Sequence, residues 1–300
     1  MTEAEAEAEA WPALPYGEWR DTLDTVHMEF QILGKVRVAL SPKEPEWAHV
    51  ALYVTPRGIS TGPVPSNRGL FEVEADFIDH QVVLRTDAGD HREVPLTARP
   101  VAAFWSDFIG ALAALGIDVT LSPMPQEVPD PIPFPDDTVH HAYDPEHAAR
   151  FWRTLTLMAP AFDEYRAAYK GKASRVQFFW GSADLNVTRF SGLPCSPPPG
   201  ADLLIKHSYD MEQISTGFWP GNPAFPEPAF YAYGYPAGDG IETAALSPAA
   251  AGWNADLGEF VLRYDDVRTS SSPHDTLREF LDSAYAACAH SRSWDPDLLG

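Results

Sequence analysis

The chain has 300 residues, of which 45% are hydrophobic and 12% aromatic, so it is long and apolar enough to bury a large core. Its 43 acidic residues outnumber its 21 basic residues and give a formal net charge of −22. Because this charge repels phosphate backbones and anionic lipid surfaces, it argues against binding to nucleic acid or to a membrane. The sequence also lacks an apolar run long enough to insert into a bilayer.

The first ten residues alternate mainly between Glu and Ala and predict a disordered acidic tail over residues 1–10. This opening lacks the basic and apolar regions of an export signal. The only cysteines are Cys195 and Cys288, too few for a disulfide framework. Together these features predict a cytoplasmic protein.

Taken in chain order, residues 11–121 predict an N-terminal α+β half. Apolar residues at helical spacing indicate a helix from Trp19 that ends at Gly34. Short β-branched and aromatic runs then predict an antiparallel meander with strands at 48–55, 70–78, 81–86 and 92–96. A second helix that starts after Pro100 and stops at Gly116, and a short strand over 117–121, complete this half.

Six prolines between Ser122 and Pro135 remove backbone donors and predict a Pro-rich linker over residues 122–143. The C-terminal α+β half, residues 144–300, opens with Asp144 as the N-cap of a long helix. A hairpin with strands at 175–180 and 184–190 follows, and then a long loop over 191–228. Two more strands, at 229–235 and 259–264, and a last helix from Ser272-Pro273 onwards complete this half.

The predicted fold class is therefore α+β, with two similar halves that each contain antiparallel strands backed by helices. Both halves run from a helix through Gly-Lys into strands and end with a helix. Gly34-Lys35 and Gly171-Lys172 occupy matching places in this order. The shared order predicts an internal duplication.

Three segments carry a resemblance to a known family. They are Phe178–Gly192 (FFWGSADLNVTRFSG), Gly217–Gly221 (GFWPG) and Gln31–Lys35 (QILGK). Through them the chain resembles, from about Trp11 to Trp294, a family of uncharacterised bacterial proteins, the domain of unknown function number 5996. The resemblance implies a single unit rather than two independently shuffled domains, and it implies no activity.

The predicted hairpin supplies the first candidate binding residue. A loop of two or four residues places Trp180 and the apolar residues of both strands on one buried face. Strand alternation carries Arg189 to the same face, where a guanidinium needs a carboxylate or an anion as its partner. Arg189 is therefore either one member of a structural ion pair or a contact to an anionic ligand. A three-residue loop would instead expose Asp184 beside Trp180.

The first helix carries a polar stripe of His27, Gln31 and Lys35 at intervals of four residues. Such a stripe is either the solvated edge of an amphipathic helix or one side of a cleft. In the second case His27 is a candidate for proton transfer and Lys35 for assisting with an anionic substrate. These two residues are the predicted catalytic pair, and Gln31 is a predicted ligand contact.

A cluster of histidines and acids near the linker raises the question of a metal site. Its members lack the spacing of known metal motifs and lie at 136–137, 140–141, 144 and 147. The sequence therefore predicts no metal. It also lacks a G-x-S-x-G elbow, a Walker loop and a G-x-G-x-x-G fingerprint, and no cofactor is predicted.

These observations favour a cytoplasmic protein, either a plain binder or an enzyme, that holds a small anionic molecule in a cleft between the two halves. The predicted ligand contacts are Gln31, Trp180, Asp184, Arg189, Tyr209, Glu212 and Trp219. The alternative is a non-catalytic interaction module that docks through the aromatic loop at 191–235. The sequence leaves the reaction class, the ligand and the oligomeric state open.

Overall fold

The computed structural model describes residues 11–201 and 203–299, so the predicted tail at 1–10 lies outside the described residues. The described chain contains helices and two antiparallel sheets. The predicted α+β class is therefore confirmed. Within the described residues, no helix combines the length and the apolar character needed to cross a membrane.

The N-terminal half contains one long helix, a six-stranded sheet and a second helix. The elements are α1 (Tyr16–Leu40), β1 (Tyr53–Val54), β2 (Gly58–Ser60), β3 (Val64–Ser66), β4 (Gly69–Asp76), β5 (Gln81–Thr86), β6 (His91–Pro95) and α2 (Val101–Ala114). The sheet order is β1-β2-β4-β5-β6, and β3 pairs with β4.

The C-terminal half repeats this arrangement of helix, antiparallel sheet and helix. The elements are α3 (Pro145–Ala167), β7 (Gln177–Phe179), β8 (Asp184–Pro194), α4 (Leu203–Ser208), β9 (Met211–Trp219), β10 (Ala229–Tyr235), β11 (Gly252–Asn254), β12 (Glu259–Arg263), α5 (Tyr264–Arg268) and α6 (Pro273–Ser291). The sheet runs in the order β11-β12-β10-β9-β8-β7. The internal duplication stays a prediction.

The two sheets meet where the β1 edge of the first approaches the β7 edge of the second. Leu52 and Phe178 exchange two backbone hydrogen bonds, of 2.9 and 2.8 Å. On the helix side of this junction the Phe30 ring packs 5.1 Å from Phe178 and 6.5 Å from Phe151, measured between centroids. The buried apolar residues of both halves therefore form one continuous core, whose burial is the main stabilising term of the fold.

Helix α1 continues six residues beyond Gly34, where the sequence predicted its end. Gly34 is needed for packing rather than for a helix stop. A Cβ at this position would lie 2.2 Å from Cδ1 of the Trp180 indole, so only glycine lets the helix approach that ring.

Other boundaries also differ from the sequence prediction. The predicted strand at 48–55 is a 3₁₀ turn (Pro45–Val50) followed by the two-residue β1, and the structure assigns no strand to residues 117–121. The predicted loop at 191–228 contains β9, the strand between β8 and β10. Prolines flank this strand, and Gly217 lies within it without interrupting its pairing. The many prolines and glycines of the segment favour a loop in a sequence-based prediction, so the strand was not predicted.

Candidate functional site

The C-terminal sheet has one apolar face and one polar face. The loop between β7 and β8 has four residues, and Phe178 pairs with Leu185, as one of the predicted registers requires. Alternation along β8 then puts Leu185 and Val187 on the helix-facing side, where both are fully buried. Asp184, Asn186 and Thr188 lie on the opposite side and carry its polar groups.

This polar side is the floor of a cleft with a volume of about 1170 Å³. Segments from both halves border the cleft, including Glu44–Val50 and Gln126–Glu127 from the N-terminal side and Lys172–Arg175 from the C-terminal side. The polar sheet face is therefore partly covered by loops of the same chain. Polar groups that converge in a cleft beside aromatic side chains are the features that orient small molecules in their binding sites.

A hydrogen-bond network ties the strands of the floor together. The Tyr231 hydroxyl donates to Asp184 Oδ2 at 2.5 Å, and Ser182 Oγ donates to Asp184 Oδ1 at 2.6 Å. Asn186 Nδ2 donates to the Tyr231 hydroxyl at 2.9 Å and to Ser215 Oγ at 2.8 Å. The network fixes the orientation of these buried side chains, because breaking it would leave polar groups unsatisfied.

Tyr231 reaches this network from β10 by crossing β9 at Gly217. Gly217 pairs with Tyr231 on one side and with Asn186 on the other. A Cβ at Gly217 would lie 2.4 Å from the Tyr231 hydroxyl oxygen and 2.4 Å from the Leu185 carbonyl oxygen. The missing side chain thus creates the space in which the Tyr231 ring lies.

Three aromatic rings, Trp219, Tyr231 and Tyr233, form what we call the aromatic wall of the cleft. The Trp219 and Tyr231 centroids are 5.1 Å apart with an interplanar angle of 20°, and those of Tyr231 and Tyr233 are 6.3 Å apart at 15°. The Tyr233 hydroxyl lies 2.9 Å from that of Tyr209. Burial raises the pKa of Tyr231 and Tyr233 well above that of a free tyrosine, so both phenols are neutral.

Two carboxyl groups in the cleft sit in unfavourable surroundings for a charge. Burial raises the pKa of Asp184, against the opposing effect of its two hydroxyl donors. Burial, followed by the proximity of Asp184, raises the pKa of Glu259 to about 7. The Glu259 carboxyl group makes no hydrogen bond or ion pair with the described residues. The Trp219 Nε1 donor is also buried without a partner among them.

The predicted α1 stripe lies behind the cleft and supports residues that line it. His27 Nε2 is 2.9 Å from both the Trp180 and the Gly181 carbonyl oxygens. The Gln31 side chain exchanges two 2.7 Å hydrogen bonds with the backbone of Gln126. Burial lowers the pKa of His27, which keeps its ring neutral as a donor to carbonyl groups.

Lys35 lies below the Trp180 ring rather than in the cleft. Its side chain is buried, with Nζ 5.5 Å from the Trp180 ring centroid and 5.9 Å from that of Phe134. Burial lowers its pKa to about 8. Trp180 itself lines the cleft and donates from Nε1 to the Val50 carbonyl oxygen at 2.9 Å.

Arg189 lies on the helix-facing side of the sheet, away from the cleft. Its guanidinium donates to the Tyr165 carbonyl oxygen and lies over three rings, 3.3 Å from the Tyr165 centroid, 4.6 Å from Tyr285 and 5.0 Å from Tyr169. Two of its nitrogens, Nε and Nη1, have no hydrogen-bond partner among the described residues. Aromatic faces thus occupy the place where sequence analysis expected a carboxylate or an anion.

The remaining predicted residues divide between the two faces. Asp184, Tyr209 and Trp219 line the cleft, whereas Glu212 forms an ion pair with Arg292 and accepts a 3.0 Å hydrogen bond from Trp294 Nε1. The structure therefore brings Trp180, Asp184, Tyr209 and Trp219 together and leaves His27, Gln31, Lys35, Arg189 and Glu212 outside the cleft lining.

The histidine cluster near the linker has structural contacts. Asp137 is fully buried and lies 2.7 Å from Nδ1 of His140. Asp144 accepts a 3.1 Å hydrogen bond from the His147 backbone, as its predicted capping role requires. The described part of the chain contains no grouping of three or more side chains suited to a metal ion.

Sequence reasoning missed several residues of the floor. Asn186 and Thr188 could have been found, because alternation along the predicted strand places them on the same face as Asp184. Tyr231 lies within the aromatic segment predicted at 191–235 but was not among the predicted ligand contacts. Glu259 carried no sequence signal, since it begins a short strand far from the hairpin.

Comparison with known proteins gave one match. The search of curated proteins and the search of solved structures found no match to the chain. A family model described as a family of unknown function, DUF5996, matches residues 11–300. The chain therefore belongs to this family of unknown function, DUF5996.

Proposed function

We propose that the protein binds a small molecule in the cleft above the polar face of its C-terminal sheet. The observation that carries the proposal is the composition of this face. An oriented hydrogen-bond network and the aromatic wall lie side by side in a cleft of about 1170 Å³. This volume suits a metabolite or a cofactor-sized compound.

Unused hydrogen-bonding capacity supports the same proposal. Trp219 Nε1 has no acceptor among the described residues, and the Glu259 carboxyl group has no partner among them. Buried polar groups are normally satisfied, so those left open in a cleft are positions where a ligand can complete the bonding. The stacked rings provide the apolar contact area that orients such a ligand.

The position of the aromatic residues favours small-molecule binding over the alternative, an interaction module. Residues 211–219 and 229–235 are strands β9 and β10 rather than a loop, and three of their aromatic side chains, Trp219, Tyr231 and Tyr233, line the cleft. The large apolar side chains most exposed among the described residues are all aliphatic. We also propose the cytoplasm as the compartment, because Cys195 and Cys288 are both free thiols.

A thermal-shift screen of the full-length protein against metabolites tests the proposal. A ligand at 100 times its dissociation constant stabilises the folded state by about 2.7 kcal/mol, a shift of several degrees. Trp219→Ala should abolish the shift given by a cleft ligand. Trp253→Ala is the matched control, because Trp253 is a half-buried tryptophan of the same sheet outside the cleft lining. A blank screen, or hits that Trp219→Ala leaves unchanged, would refute the proposal.

A further inference from the structure

The charges that line the cleft are predominantly negative. Five carboxyl groups border it, those of Glu44, Glu46, Glu127, Asp184 and Glu259, against the two basic side chains of Lys172 and Arg175. Asp184 and Glu259 project from the sheet itself, whereas both basic residues belong to the bordering segment before β7. The floor of the cleft therefore presents carboxyl groups to a ligand.

Both basic side chains are already engaged by the protein. Lys172 Nζ donates to Glu46 Oε1 at 2.5 Å and lies 4.8 Å from the Phe190 ring centroid. The Arg175 guanidinium lies 4.4 Å from the centroid of the Tyr53 ring. An anionic ligand would have to compete for these groups and would also approach Asp184 and Glu259, which repel it when they are ionised. The charged groups of this cleft therefore do not favour the anionic ligand that the sequence predicted.

The aromatic wall is suited to a positive charge. Aromatic faces attract cations through the negative potential above the ring, and the attraction increases when water is excluded. Trp219, Tyr231 and Tyr233 present three nearly parallel rings. Asp184 adjoins this wall through its hydrogen bond from Tyr231, and Glu259 is close enough to Tyr233 to influence its ionisation. Rings and carboxyl groups therefore act on the same region of the cleft.

We propose that the ligand of this cleft is a small organic cation, a protonated or quaternary amine held by Glu259 and Asp184 against the aromatic wall. This inference rests on the proposed binding function and specifies its ligand class. The raised pKa of Glu259 supports it, because a carboxyl group buried without a positive partner favours its neutral form and a bound cation supplies that partner. Binding should therefore ionise Glu259 and release a proton near neutral pH.

The groups that face Glu259 determine the expected pH dependence. They are Asp184, Tyr209 and Tyr233, and none of them carries a positive charge. Because the ionised form of Glu259 binds the cation, affinity should increase as pH rises from 6 to 8, through the pKa of about 7. In Glu259→Gln this increase should be much smaller. Glu242→Gln is the control, since Glu242 is exposed and lies outside the cleft lining.

Pairs of probes with the same shape and different charge provide the test. Choline and 3,3-dimethylbutan-1-ol form one pair, tyramine and tyrosol a second, and cadaverine and pentane-1,5-diol a third. Calorimetric titration of the full-length protein at pH 8 should show at least one cation binding tenfold or more tighter than its neutral partner. Glu259→Gln should reduce that preference about tenfold. A second titration at pH 6, where Glu259 with its pKa of about 7 is mostly protonated in the free protein, should reveal proton release when two buffers of different ionisation enthalpy are compared.

The outcomes separate this inference from the binding function itself. Equal affinity for charged and neutral partners, a preference that survives Glu259→Gln, or no binding by any cation of the panel would overturn the cation proposal. If the metabolite screen still gives neutral or anionic ligands that depend on Trp219, the binding function stands without it. If Glu259→Gln changes the thermal unfolding midpoint, Trp219→Phe provides a second variant. Trp219→Phe should weaken binding of the cation more than binding of its neutral partner.

Discussion

The contact between Gly34 and Trp180 makes a demanding prediction about α1. An added Cβ at Gly34 would lie 2.2 Å from Cδ1 and Nε1 of the indole, well inside van der Waals contact. Trp180 is held on its other side by the hydrogen bond to the Val50 carbonyl oxygen and is only 5% exposed. Gly34→Ala must therefore displace either the helix or the indole.

The expected magnitude follows from opposing effects. Alanine in place of glycine inside a helix stabilises by roughly 0.5–1 kcal/mol. Overpacking a rigid core costs about 1–3 kcal/mol, and a buried hydrogen bond lost with the indole costs about 1–3 kcal/mol more. Together these contributions give a net loss of about 1 to 5.5 kcal/mol, so we expect Gly34→Ala to lower the free energy of unfolding by about 3 kcal/mol, near the middle of that range.

Urea denaturation followed by circular dichroism measures this effect, with Gly110→Ala as the matched control. Gly110 also lies inside a helix, α2, but it is exposed and a Cβ there would have no neighbour within 4 Å. Gly110→Ala should therefore raise the free energy of unfolding by roughly 0.5–1 kcal/mol. If Gly34→Ala were as stable as the parent, or gained as much as Gly110→Ala, the packing argument would be wrong.

Three further predictions concern buried polar groups. Burial raises the pKa of Glu29 from 4.5 to about 8, so the free energy of unfolding of the parent protein should fall as pH rises between these values. Glu29→Gln should not show this fall, whereas the control Glu93→Gln, at an exposed site, should show it unchanged. Tyr231→Phe leaves Asp184 without its 2.5 Å donor and should cost about 1–3 kcal/mol in urea denaturation. Arg189→Met should retain most of the parental free energy of unfolding in the same assay, because an apolar side chain of similar volume replaces a buried charge. Arg189→Ala should instead lose about 3 kcal/mol or more, because it creates a cavity in the core.

Much of the fold could be predicted because local patterns agree with the tertiary structure. Strand β5 and strand β10 match the predicted ranges, and the capping role of Asp144 is confirmed. Where the prediction was wrong, tertiary packing had overridden a local signal. The clearest case is Gly34. The sequence pattern predicts that the helix ends there, but Gly34 lies within α1 and packs against the Trp180 ring.

The site was harder to predict, because the strand pattern does not show what covers each face of the sheet. The four-residue loop placed Arg189 on a buried face, as predicted, but that face packs against helices and aromatic rings. The face occupied by Asp184 and Asn186 is covered by segments from distant parts of the sequence, such as Glu44–Val50. Only the folded chain shows that the polar face, rather than the apolar one, encloses a cleft.

Two of the three segments that carry the family resemblance line this cleft, and the third contacts residues that line it, which gives their residues a physical meaning. From QILGK, Gln31 holds the backbone of Gln126 while Gly34 admits the Trp180 ring. The long motif from Phe178 supplies that tryptophan and the polar floor, and GFWPG supplies Trp219 and the space for Tyr231. In two of these segments a glycine is required because a cleft aromatic ring occupies the volume of its missing side chain. A side chain at either position would therefore displace a ring that lines the cleft.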